Sequence, residues 1–170
     1  MLDLQKENNE VYYLKHSQKI LCIQDFNELM SSATNSRRNR ARFCTHDNKE
    51  SDIHEMFEVL TREVYMRPHK QKDKLTSYHL VFGMLYIYLF DDEGQMIDRI
   101  FLSDYHSGAS FYCRVPQDIY RMLVPQSDFA LYHEIRKGPF SKTDTIFAPW
   151  APDEEDHHNI EKFIARLPVD

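Results

Sequence analysis

Glycine is scarce in this chain, with four among 170 residues. Most turns must therefore be built by Asn, Asp and Pro, or by longer loops. Cysteine is rarer still: Cys22, Cys44 and Cys113 are scattered and odd in number. That pattern gives no disulfide framework and points to a reducing cytoplasm. No hydrophobic run approaches a membrane span, since Leu80 to Phe90 is about half of one. The opening residues, MLDLQKENNE, carry acids where a secretory leader carries bases, and no hydrophobic segment follows. Base is not in excess either. The 27 acids outnumber 21 bases for a net charge of −6, which favours solubility and argues against nucleic acid as a partner.

What the chain does have is apolar and aromatic material, 42% and 13% of residues, enough for one domain to bury a core without staples. Residues 1 to 19 are polar apart from Val11–Leu14 and read as an arm that packs late or stays mobile. Ile20–Ile23 has the character of a short strand. Asp25 is a candidate N-cap for a helix with Phe26, Leu29 and Met30 on one face, broken by the polar run Ser31–Ser36. The cluster Arg37, Arg38, Arg40, Arg42 invites a nucleic-acid reading, but in an acidic chain a solvated strand face is the better one. On a strand, Arg40, Arg42 and Cys44 form a basic side opposite Ala41, Phe43 and Thr45. Residues 52–60 mix helical and strand periods, and their place before further strands favours strand.

From Val64 onward the β signal is steadier. Ser77–Phe90 is rich in aromatic and branched residues, with Gly83 marking a turn or bulge and Asp91–Gly94 a hairpin. Strands are expected over 96–102, 111–115, 119–124 and 129–135, separated by turn signals, the pattern of a sandwich or small barrel. Gly138–Phe140 ends that pattern, and Phe147–Pro152 is an extended, proline-fixed segment. Asp156 then caps a last helix bearing Ile160, Phe163, Ile164 and Leu167. The expected divisions are an N-terminal arm and helix over 1–35, a barrel over 36–140, and an extension with a helix over 141–170.

Several runs resemble the WbuC family of cupin-fold metalloproteins. They are Arg67-Pro68-His69-Lys70, Gly83, Leu89–Gly94, Val115-Pro116, Glu134, Gly138-Pro139-Phe140 and Phe147–Pro152, with Arg38–His46 as an arginine-rich lead-in. The resemblance spans residues 36 to 156. It implies a mainly β fold, a double-stranded β-helix (jelly-roll) barrel with an N-terminal and a C-terminal helix. It also implies a bacterial setting linked to surface-polysaccharide (O-antigen) or sugar metabolism, and pairing of barrels into a homodimer.

The same resemblance implies a divalent metal such as Fe, Mn, Ni or Zn, held by two His one residue apart, a Glu, and a His from a second motif. Residues i and i+2 of a strand face one way, so such a pair enters the barrel mouth together. Laid on this chain, the first His is His69. The other three positions fall on Gln71, Thr76 and Arg121. Gln coordinates weakly, Thr poorly, and a guanidinium cation not at all. The usual metal is therefore not expected.

A guanidinium among neutral donors and a His suits an anion. The reading is that His69 and Arg121 grip a small anionic, sugar-like ligand, with Gln71 and Thr76 reading hydroxyls and Arg67, His46, Arg40 and Arg42 nearby. The plainer reading pairs Arg121 with Glu134 or another acid and leaves the pocket a relic. His133 and Glu134 point oppositely, and the resemblance turns Glu134 inward. Two alternatives stand beside these. One is a sugar or nucleotide-sugar isomerase or epimerase with His69 as general base and Tyr120 as acid. The other is a metal site built from His69, His46 and one acid.

Overall fold

The computed structural model describes residues 2–168. Met1, Val169 and Asp170, at the outer limits of the expected divisions, lie outside the described residues. Twelve strands and two helices follow in order: β1 (Leu4–Lys6), β2 (Val11–Leu14), α1 (Ile23–Thr34), β3 (Arg40–Cys44), β4 (Ile53–Thr61), β5 (His69–Gln71), β6 (Thr76–Phe82), β7 (Met84–Phe90), β8 (Met96–Ser103), β9 (Tyr112–Val115), β10 (Tyr120–Pro125), β11 (Phe129–Lys137), β12 (Thr145–Phe147) and α2 (His157–Ile164). They form a seven-stranded sheet, β1-β2-β3-β4-β11-β6-β9, and a five-stranded sheet, β12-β5-β10-β7-β8. The two sheets face each other as a jelly roll. All neighbours are antiparallel except β2 and β3.

The parallel pair corrects the reading of the N-terminal residues as an arm. Val11, Tyr13 and Leu14 are buried, and β1 and β2 extend the large sheet. Parallel neighbours need a crossover, which α1 supplies. Its Phe26, Leu29 and Ala33 pack on Phe43 and Val59, covering the outer face of β3 and β4. Residues 20–22 are not a strand. Cys22 is the N-cap, and Asp25 lies inside the first turn, where its carboxylate accepts the Cys22 N–H at 2.7 Å. The helix also runs on to Thr34, through the polar stretch expected to break it.

The main core lies between the sheets, with Leu60, Leu80, Leu85, Ile87, Leu123 and Tyr132 at its centre. A second cluster lies outside the small sheet, where Tyr88, Phe90, Tyr120 and Met122 meet Ala148, Ala151, Trp150 and Phe163. β7 and β10 are therefore covered on both faces, so their apolar residues are continuous rather than alternating. Gly83 turns the chain from one sheet into the other at φ +88°, and an added Cβ would stand 2.2 Å from the Phe129 carbonyl oxygen. Gly83→Ala is expected to cost about 3 kcal/mol in urea unfolding, from the left-handed backbone and the clash together. Stability within 0.5 kcal/mol of the parent, roughly what a neutral surface change gives, would show that the corner relaxes freely.

Candidate functional site

The strands of the large sheet turn one row of polar side chains toward β5 and β12. Arg42 lies opposite Glu58, Glu134 opposite Tyr78, and Arg136 opposite Thr76. With His69 and Gln71 from β5 they wall a cavity of about 350 Å³ at the barrel mouth. Six basic side chains (Arg38, Arg40, Arg42, Arg67, Arg136, Lys142) face three acids (Glu58, Glu134, Glu154), so an acidic protein carries a cationic pocket. Most of these charges are paired. Arg38 bonds Glu154 at 2.5 Å, Arg40 lies 3.7 Å from Glu10, Arg67 bonds Asp153 at 2.9 Å, and Arg136 lies 3.6 Å from Glu134. Among the described residues, Arg42 and Lys142 have no ion pair within the usual distance.

Arg121 is not in the cavity wall but beneath it. Its Cα is paired with that of His69, and the side chain, 1% exposed, crosses the barrel to the other sheet. There Nε donates to the Tyr78 hydroxyl at 2.8 Å and Nη2 to the Thr76 hydroxyl at 3.1 Å, while Nη1 is buried without a partner. Among the described residues it makes no ion pair, so the expected pairing with Glu134 is absent as a direct contact. Arg121 and Thr76 form the charged floor rather than the grip. Glu134 does line the cavity; burial and nearby Glu58 raise its carboxyl pKa against the opposing pull of Arg136. His133 lies on the opposite face, stacked on Phe57 at 4.5 Å.

His69 has a defined tautomer. Nδ1 is 3.0 Å from the Arg67 carbonyl oxygen, which can only accept, so the proton sits on Nδ1 and Nε2 keeps its lone pair. Burial and the Arg121 guanidinium push its pKa down to about 3. An imidazole this weakly basic is a hydrogen-bond acceptor near neutral pH and a poor general base. Gln71 donates its amide to the Thr145 hydroxyl at 2.9 Å, which fixes its carbonyl orientation.

Two expected participants are elsewhere. Tyr120 is the neighbour of Arg121 on β10 and points the other way, packed edge-on against Trp150 at 5.7 Å with the Lys70 ammonium 4.6 Å from its ring. His46 lines a second cavity of about 320 Å³, bonds the Glu55 carbonyl through Nδ1 at 3.0 Å, and stacks on His54 at 4.0 Å. A His69–Tyr120 acid–base pair and a His69–His46 metal pair are thus not brought together. Glu58, Arg136 and Lys142 were not anticipated. Arg136 stands at i+2 from Glu134, and strand alternation alone would have placed it on the same face.

The donors present do not fit a cupin metal. His69 offers one lone pair, the Thr76 hydroxyl is engaged by a guanidinium, and that guanidinium occupies the fourth position. Among the described residues no three His, Cys, Asp or Glu side chains are grouped to hold an ion. A wider groove of about 1110 Å³ runs outside the barrel, but its Arg37 and Arg38 are tied to Glu155 and Glu154.

Comparison with known proteins now has a site to refer to. Residues 21–102 match a family described as a domain of unknown function (DUF6016). No curated protein matches this chain. Among solved structures, protein SO0799 of Shewanella oneidensis is similar with a TM-score of 0.56 at 15% identity, over 75% of this chain and 85% of that one. CapF bound to 3-isopropenyl-tropolone is similar with a TM-score of 0.50 at 12% identity, over 62% of this chain and 33% of CapF. The 11S allergen of Cocos nucifera gives 0.50 at 14% identity, over 64% and 29%. The chain therefore spans a third or less of the latter two proteins. No helix of the described residues is long and apolar enough to cross a membrane. Two facing sheets, a polar mouth between them and these neighbours establish one thing: the fold is that of the cupins, mainly β with a helix near each end.

Proposed function

We propose that this protein binds a small anionic, sugar-like ligand in the barrel mouth, without the usual cupin metal. One observation carries the reading: an acidic chain gathers six bases around one cavity, where among the described residues Arg42, across from Glu58, and Lys142 make no ion pair at contact distance. A guanidinium presents a planar fork of donors that matches carboxylate and phosphate oxygens. The His69 Nε2 lone pair, Gln71 and Glu58 supply acceptors for hydroxyls around it. Arg121 adds positive potential from below, where water cannot screen it. The link to bacterial surface-polysaccharide metabolism rests on the WbuC resemblance of the quoted runs.

The test is a thermal-shift series with sugar phosphates, nucleotide sugars and carboxylic acids, repeated on Arg42→Ala. A ligand at a hundred times its Kd stabilises by about 2.7 kcal/mol, which raises the Tm by roughly 5–10 °C in a chain of this size. Removing Arg42 is expected to weaken that ligand by roughly tenfold to a hundredfold. Equal stabilisation of parent and variant would end the anion reading.

A second reading is favoured by Glu134, a buried carboxyl with a raised pKa in the wall of the same cavity. Such a group keeps its proton more readily than an ordinary carboxylate, the direction in which an acid for isomerase chemistry on a sugar is tuned. Turnover of a bound ligand abolished by Glu134→Gln, with binding kept, would mark an enzyme. Binding without turnover marks a carrier or sensor.

A further inference from the structure

The barrel-mouth cavity and the second cavity, which His46 lines, share part of their wall. Both are lined by Arg42, Arg136, Lys142 and Phe140, with Arg38 at the edge, so these side chains form a partition facing each side. The Arg136 guanidinium lies 5.6 Å from the centre of the Phe140 ring. Positive charge thus stands where the two cavities adjoin; taken together they make a two-lobed trench whose ends differ in chemistry.

At one end the groups suit hydroxyls: the His69 Nε2 lone pair, Gln71, Glu58 and Thr145. At the other, Tyr13 meets His46 edge-on at 5.5 Å and His46 stacks on His54 at 4.0 Å, giving a wall of flat rings. Each imidazole there has one nitrogen tied to a backbone carbonyl, at 3.0 Å for His46 and 3.1 Å for His54. Burial keeps both uncharged, with His54 pushed down to about 4. The acids of that lobe are engaged: Glu7 by Lys49 at 2.5 Å, and Glu10 by Arg38 and Arg40 at 3.7 Å each. Each lobe, at about 350 Å³ and 320 Å³, is at the small end of ligand sites, which run from about 300 to 1,000 Å³.

We propose that the trench takes an elongated ligand whose negative charge lies in a phosphate linkage between two ring-bearing halves. The sugar-like half occupies the His69 lobe, and a flat, stacking half occupies the lobe walled by Tyr13, His46 and His54. This rests on the anion reading above and adds the second half to it. A molecule with its charge at one end would leave either the central cations or one lobe unmatched.

Calorimetry on the full chain tests it with four probes: inorganic pyrophosphate, glucose 1-phosphate, UDP and UDP-glucose. UDP-glucose is expected to bind at least about tenfold tighter than UDP or glucose 1-phosphate, because only it fills both lobes. Asn8→Trp, an exposed position on the rim of the second lobe, should plug it and bring that preference to within about threefold. Lys49→Trp, from another point on the same rim, serves if the first variant folds poorly. Glucose 1-phosphate binding as tightly as UDP-glucose would overturn the two-lobed ligand while leaving the anion reading intact. A preference untouched by either plug would do the same. Failure of all four probes to bind would overturn the phosphate-linked ligand, with the anion reading then decided by the carboxylic acids of the thermal-shift series.

Discussion

Arg121→Ala is expected to cost about 4 kcal/mol in urea unfolding, and Arg121→Met less than about 1 kcal/mol, an unusual order for a residue with two good hydrogen bonds. The guanidinium is 1% exposed, and none of its neighbours answers its charge with an ion pair among the described residues. Tyr78 and Thr76 offer it neutral oxygens, and Nη1 has no partner among the described residues. A buried cation in that position carries a desolvation penalty of several kcal/mol that two neutral acceptors only partly offset. Alanine removes the charge but empties a long side chain's volume between two packed sheets, and the hole is what costs. Methionine removes the charge and fills most of the space. A methionine variant as unstable as the alanine one would show that the Tyr78 and Thr76 bonds hold the sheets together. Arg121→Met should also raise the His69 pKa, since Arg121 is the second cause of its depression after burial. It should weaken anion binding without touching the ligand. A residue conserving stability would not produce that combination.

The barrel was legible where one sheet face meets water. In β3, Arg40 and Arg42 alternate with the buried Ala41 and Phe43, as period-two patterning requires. It was illegible where both faces are covered: in β7 six apolar and aromatic residues in succession, Leu85 to Phe90, are buried, and alternation cannot exist. The N-terminal strands were missed because four residues, Val11–Leu14, carry too little pattern to distinguish a strand from an apolar island. α1 was misread at its start because Asp25 caps through the reciprocal side of the box, three residues inside the helix. For the site, the resemblance located His69, Gln71, Thr76, Arg121 and Glu134 on neighbouring strands. It could not separate wall from floor, which depends on how far an arginine reaches across the barrel. Tyr120 was placed one residue from the right face, and in a strand one residue is the whole difference. Glu58 and Arg136 reach the cavity through pairings of β3, β4 and β11 that are long-range in sequence, and Lys142 enters from the helical turn before β12.

Lowering the pH from 7 to 4.5 is expected to remove about 3 kcal/mol of stability, a Tm drop of roughly 6–12 °C, much of it above the range in which ordinary carboxylates protonate. Four histidines are held below their ordinary range. Burial is the first cause in each: it takes His69 to about 3 and His54 to about 4, and lowers His46 and His133. A depressed imidazole is neutral in the fold and protonates near 6.5 when unfolded. Above that pH both states are neutral and the full stability is present. Below it the unfolded chain takes up protons that the fold refuses, so stability falls until the folded pKa values are reached near 4 and 3. Arg136 and Arg42 face His46, Arg136 also lowers His54, and Arg121 faces His69, so the neighbouring cations deepen the penalty that burial sets. Glu134 works in the opposite direction, because a raised carboxyl pKa gains stability as it protonates, but it is one group against four. Unfolding measured at half-unit steps should show a net slope of about one proton near pH 5, and His54→Gln should lower it measurably. A flat profile from pH 7 to 5 would mean that these rings reach solvent in the folded protein.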